Sequence, residues 1–170
     1  MSLSIIGTMH LATAVTAIVT GAAVIAMRKG TPRHRLVGIV YAASMLVING
    51  SALTLYHFSG RPNLFHVFAV VNLVSLVLGL AALRRWRRTR SPADLRQHQL
   101  RMSMNYLGLM MAFFSELLVN PYFNLVPVDI RANFWPVVGF GNLLMFVAGF
   151  VLIRRLLRPF AGPGGAPATA

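Results

Sequence analysis

The feature that most constrains this chain is a series of five long apolar runs separated by short polar segments. Each run approaches the roughly 20 residues that an α-helix needs to cross the hydrocarbon core of a bilayer. None of them alternates with the two-residue period of a barrel strand, so spanning helices are indicated. Of the 170 residues 56% are hydrophobic and 11% are charged, which leaves too little polar surface for a soluble globule of this size. The pattern predicts an all-α integral membrane protein.

The apolar runs and the residues that flank them predict a single transmembrane domain over residues 1–160. It would have a four-helix bundle core plus a fifth, C-terminal helix, and the Gly-, Pro- and Ala-rich tail 161–170 would be disordered. Thr31–Pro32 and Ser91–Pro92 are typical helix starts, and Asp94 would complete a capping box after Ser91. The predicted transmembrane helices cover residues 4–27, 36–58, 64–83, 92–119 and 134–155.

The positive charges lie almost entirely in alternate connections between the runs. Of the 16 Lys and Arg residues, all except Arg61 and Arg131 fall on one side of the membrane. The positive-inside rule makes that side cytoplasmic, with the N-terminus outside and the C-terminus in the cytoplasm. Topology therefore explains the net charge of +13 without nucleic acid, and the basic side is expected to contact anionic lipid headgroups.

The five histidines all lie at or near a predicted membrane boundary. At about 1.5 Å per residue, His10, His57, His66 and Glu116 fall roughly 25–31 Å from the cytoplasmic ends of their helices. They share an outer layer, whereas His34 and His98 share an inner one. Cysteine is absent, which excludes thiolate ligands and thiol nucleophiles.

The two layers of histidines suggest axial ligands for haem. In an up-and-down bundle helices 1 and 3 are diagonal partners, as are helices 2 and 4. His10 would then face His66, and His34 would face His98, which is how a bundle holds one or two b-type haems. Three residues are expected beside these ligands. Asn105 shares a face of helix 4 with His98 and Glu116, Gly38 lies one turn above His34, and Tyr41 is the third.

Other interpretations of the same residues remain open. His34 lies among cations and would equally suit a lipid phosphate. Glu116 either forms a hydrogen bond with Asn142 or Asn72 or relays a proton. The set His10, His57, His66 and Glu116 would suit Zn or Fe in a metal-dependent membrane enzyme. A third hypothesis is a non-enzymatic membrane subunit or small transporter in which the histidines are interfacial and Glu116 gates a proton or substrate.

Two segments carry a resemblance to a known family. His34, Arg35, Gly38 and Tyr41 form the first, and His98, Met102 and Tyr106 form the second. Together they resemble an uncharacterised bacterial family of predicted multi-pass membrane proteins, over roughly residues 7–115. That resemblance implies a multi-pass protein of the bacterial inner (cytoplasmic) membrane.

The positions of four histidines are, more distantly, similar to those of the two-haem transmembrane b-type cytochromes. This likeness implies His10 with His66 and His34 with His98 as haem ligands, electron transport, and a redox partner or membrane complex. Motifs for binding a substrate, which those cytochromes carry, have no clear counterpart in this sequence.

Overall fold

The computed structural model describes residues 5–54, 64–119 and 135–156, and five α-helices lie within them. The tail 161–170 and the end of the second predicted helix, with His57, lie outside the described residues. The helices, numbered in chain order, are α1 (Ile5–Ala26), α2 (Pro32–Ala52), α3 (Leu64–Thr89), α4 (Pro92–Val119) and α5 (Phe140–Leu156). A short π-helical turn, Trp135–Gly139, leads into α5.

The helix starts show why some boundaries differ from the predicted ones. The Thr31 side chain accepts a hydrogen bond from the backbone N of His34, so α2 begins at Pro32, as the Thr31–Pro32 pair predicts, four residues before the apolar run that starts at residue 36. The third helix runs six residues past the predicted end at 83, because arginines continue it beyond the apolar run. The fourth begins at Pro92 as predicted.

Asp94 does not complete the predicted capping box. Its carboxylate accepts hydrogen bonds from Arg85 Nε at 3.0 Å and from Thr89 Oγ1 at 3.0 Å. The backbone N–H of Ser91 is donated to Thr89 Oγ1 instead. Asp94 therefore ties the end of α3 to the start of α4, across a tight connection in which Arg90 has a φ of 56°.

The first four helices form the predicted square bundle. Helix α1 packs against α2 and α4, and α3 packs against the same two helices, so α1 and α3 are diagonal partners; α5 packs against α4. Small residues on α1 allow the close approach, because Ala14, Ala17 and Gly21 are buried. The core cluster is completed by larger side chains from the other helices: Tyr41, Met45, Ile48, Leu76 and Leu109.

The outer surface of the bundle is apolar, as a bilayer requires. Large hydrophobic side chains such as Leu36, Val71 and Leu143 are more than half exposed. Three helical segments, Ile5–Ala26, Pro32–Ala52 and Phe65–Thr89, are long and apolar enough to cross a membrane. Helix α4 is longer but more polar at its start, and α5 has 17 residues in the described part of the chain.

Candidate functional site

A buried polar network closes the centre of the bundle. The Tyr41 hydroxyl donates to Asn105 Oδ1 at 2.8 Å. The Asn105 amide donates to the backbone oxygen of Asn72 at 2.7 Å and to its Oδ1 at 2.6 Å. Asn105 is fully buried, and these bonds join α2, α3 and α4. Tyr41 and Asn105, both expected beside a cofactor, are bonded to each other.

Towards the predicted outer end, all four core helices surround a cavity of about 140 Å³. Its polar lining consists of His10, Asn49, Asn72 and Glu116. Three aromatic rings, those of Phe65, Phe68 and Phe113, and several small or aliphatic residues form the rest. A mostly apolar cavity with a few convergent polar groups is typical of a site for a small molecule.

His10 is held on this cavity by a serine of the neighbouring helix. Its Nδ1 lies 2.9 Å from Ser51 Oγ, and that hydroxyl donates to the Ile48 carbonyl at 3.0 Å. A hydroxyl has one hydrogen, so His10 Nδ1 must carry the proton of its own bond to Ser51. The neutral ring then keeps a lone pair on Nε2.

Glu116 lines the same cavity from α4. The expected hydrogen bonds to asparagine are not formed in this arrangement, because Asn142 donates to Ser115 Oγ at 2.6 Å and to the Val138 carbonyl at 2.8 Å. Asn72 lines the cavity with Glu116 but accepts from Asn105. Glu116 and His10 therefore line one cavity from the adjacent helices α4 and α1.

His66 does not line the cavity. The α3 residues that do, from Phe65 to Asn72, follow a helical spacing of three and four, and His66 falls on a neighbouring face, where it is buried. A cavity of 140 Å³ is also close to one of about 150 Å³ that holds benzene. His10 and His66 therefore do not share this cavity, and an outer haem between them stays a prediction.

The alternative outer metal site is only partly within the structure. Within 5–54, 64–119 and 135–156, no three His, Asp or Glu side chains lie close enough together to hold a metal ion. His57 lies outside the described residues, so the predicted four-residue Zn or Fe site stays a prediction.

At the predicted inner end, His34 on α2 and His98 on α4 lie near each other. His98 Nδ1 lies 2.9 Å from the Gly79 carbonyl oxygen. A carbonyl can only accept, so Nδ1 carries a proton and the neutral ring keeps its lone pair on Nε2. Metal-binding histidines commonly donate the other ring nitrogen in this way.

The ring of His34 differs from that of His98 in its Nδ1 atom. Its Nδ1 is buried and has no hydrogen-bond partner among the described residues. A Cβ on Gly38, one turn further along α2, would meet nothing within 4 Å. The open space predicted at Gly38 is therefore present, and the donor chemistry of His34 and His98 fits an iron between two imidazoles.

Sequence reasoning missed Ser51 and the three phenylalanines of the cavity. Ser51 follows Asn49 near the end of α2, at the depth of His10, and that coincidence of polar groups was a usable signal. No such signal marked the phenylalanines, because apolar residues that face lipid and apolar residues that line a cavity recur at the same helical spacing.

The chain was also compared with known proteins. No curated protein and no solved structure matches it, so the likeness to two-haem cytochromes stays a prediction. A family model described as a predicted membrane protein, DUF2306, matches residues 7–153. That match spans nearly all of the described helices, and the chain belongs to this family of predicted membrane proteins.

Proposed function

We propose that this protein is a small transporter or a non-enzymatic binding subunit of the membrane, in which Glu116 gates a proton or substrate. The observation that carries the proposal is the cavity of about 140 Å³ that His10 and Glu116 line from adjacent helices. Ionisable groups within a membrane are costly and usually serve a function. Here two of them, one acid and one base, line one cavity.

The surroundings suit proton exchange. Ser51 orients the imidazole of His10 through Nδ1, and this leaves Nε2 to gain or lose a proton. Apolar walls strengthen the interaction of His10 with the Glu116 carboxylate, because the effective dielectric constant inside the bundle is low. A proton on His10 and a bound molecule would therefore influence each other.

The positions of the charges suggest how the site is oriented. We place the basic ends of the helices in the cytoplasm by the positive-inside rule, so the cavity lies nearer the outer face of a bacterial inner membrane. Exposed arginines at the basic side, including Arg33, Arg35 and Arg87, are available to anionic lipid headgroups.

Filling the cavity tests the proposal. Benzyl alcohol is the probe, and the measurement is the unfolding midpoint of the purified chain in detergent micelles. We expect the probe to raise the midpoint of the wild type but not of Ala112→Phe, in which a ring occupies the cavity. Ala43→Phe, the same change on the exposed face of α2, is the matched control and should respond as the wild type does. An equal response from wild type and Ala112→Phe would refute the proposal.

A haem-binding electron carrier is the second candidate, and it is favoured by His34 and His98. The His98 bond to Gly79 and the unpartnered Nδ1 of His34 provide two imidazoles that suit axial ligation. A bound haem would supply one-electron transfer to a redox partner or membrane complex.

Absorption tests this second candidate. The purified chain from haem-supplemented cells should show a Soret band and split visible bands on reduction. His34→Ala and His98→Ala should lose them, whereas His10→Ala should keep them. A colourless wild-type protein would exclude haem.

A further inference from the structure

The cavity lining holds one acidic and one basic residue. Glu116 is the acidic residue of the lining and His10 is the basic one. An ionised carboxylate away from water needs a nearby positive charge or hydrogen-bond donors, since its desolvation is otherwise costly. The other ionisable side chain of the lining, His10, is bound by Ser51, so a bound cation would supply this charge.

The aromatic lining offers a second attraction for a positive charge. Phe65, Phe68 and Phe113 present three rings to one small space, and the face of an aromatic ring attracts cations. A neutral apolar molecule would use the rings but not the carboxylate. An organic cation would use both, with Glu116 as its counter-ion.

From these two features we infer that the cavity binds a small aromatic ammonium ion with Glu116 as its counter-ion. The inference rests on the proposed function and names the class of its substrate.

The size of the cavity limits the ligand to about one ring with a short arm. A volume of 140 Å³ is close to that of a cavity which holds benzene, about 150 Å³. Benzylammonium is therefore a suitable probe. Benzyl alcohol, with nearly the same shape and no charge, is its neutral control.

Isothermal titration of the full chain in micelles tests the inference. We expect benzylammonium to bind at least about tenfold more tightly than benzyl alcohol, as a charge-assisted hydrogen bond would give.

Variants separate the inference from the function on which it rests. Glu116→Gln should lose the preference for benzylammonium and still bind benzyl alcohol. Asp94→Asn, which removes a carboxylate at the other end of α4, should behave as the wild type. If both probes bind equally to wild type and Glu116→Gln, the inference fails while the binding cavity stands. If neither probe binds to the wild type, the proposed function fails as well.

Discussion

The hydrogen bond between Tyr41 and Asn105 offers the most quantitative test of how this bundle is stabilised. Tyr41→Phe removes the hydroxyl and leaves Asn105 Oδ1 without its 2.8 Å donor. Loss of one such bond costs about 1 kcal/mol of the free energy of unfolding. Asn105→Leu also removes both bonds to Asn72 and leaves two side-chain groups, the Tyr41 hydroxyl and Asn72 Oδ1, without this partner, so we expect a loss of about 2–3 kcal/mol.

A double-mutant cycle isolates the bond itself. Bonds between helices in membrane proteins contribute about 0.6 kcal/mol on average and at most about 1.7 kcal/mol. The Tyr41 hydroxyl lies 2.8 Å from its acceptor, and Asn105 is fully buried. We therefore expect a coupling energy near 1 kcal/mol, in the upper half of that range. The assay is reversible unfolding in mixed micelles, followed by circular dichroism.

The neighbouring tyrosine provides a matched control. Tyr106 donates to the Ile18 carbonyl at 3.3 Å and shares no hydrogen bond with Asn105. Tyr106→Phe should therefore be additive with Asn105→Leu to within about 0.5 kcal/mol. The reasoning would be refuted if the Tyr41 cycle gave a coupling no larger than the Tyr106 cycle.

Three further predictions concern glycines and the connection between α3 and α4. A Cβ on Gly21 would come within 2.9 Å of the Tyr41 ring and closer still to Tyr106, so Gly21→Ala should lower the free energy of unfolding by about 1–3 kcal/mol in the same micelle assay. A Cβ on Gly38 would meet no atom within 4 Å, so Gly38→Ala should leave that free energy unchanged or raise it by up to about 1 kcal/mol. Gly30 has a φ of 80°, so Gly30→Ala should lower the free energy of unfolding by about 1–2 kcal/mol through backbone strain alone; an unchanged value would contradict this. Hydrogen bonds from Arg85 and Thr89 hold the pKa of Asp94 below its ordinary value. The ionised carboxylate therefore stabilises the fold fully above the ordinary pKa of an aspartate, and this contribution is lost as the pH falls through the lowered pKa of Asp94. Unfolding midpoints measured from pH 7 to pH 3 should thus fall more for the wild type than for Asp94→Asn, and parallel curves would argue against the contribution.

Much of the architecture follows from local chemistry. Long apolar runs predict spanning helices, because a backbone in lipid must satisfy its own hydrogen bonds. Thr31 and Pro32 mark the start of α2 for the same local reason, and α1 buries the small-residue face that its sequence predicts. The diagonal relation of α1 and α3 was also predictable, since short connections place consecutive helices side by side.

The candidate site depended on rotations that the sequence leaves undetermined. A rotation of about 100° separates His66 from Phe65 on α3, and this alone takes His66 out of the cavity. Asp94 was expected to cap its own helix, yet its carboxylate accepts hydrogen bonds from Arg85 and Thr89 at the end of α3. Those side chains come close to Asp94 only because the chain turns between α3 and α4.

The sequence by itself determined a helical membrane protein and the starts of α2 and α4, because hydropathy and helix capping are properties of the local chain. Only the tertiary structure decided which of those residues meet. Packing turned His10 towards Ser51 and Glu116, joined Tyr41 to Asn105, and brought His34 beside His98. The physical reason is that depth along a helix is local, whereas the face it presents is chosen by its neighbours.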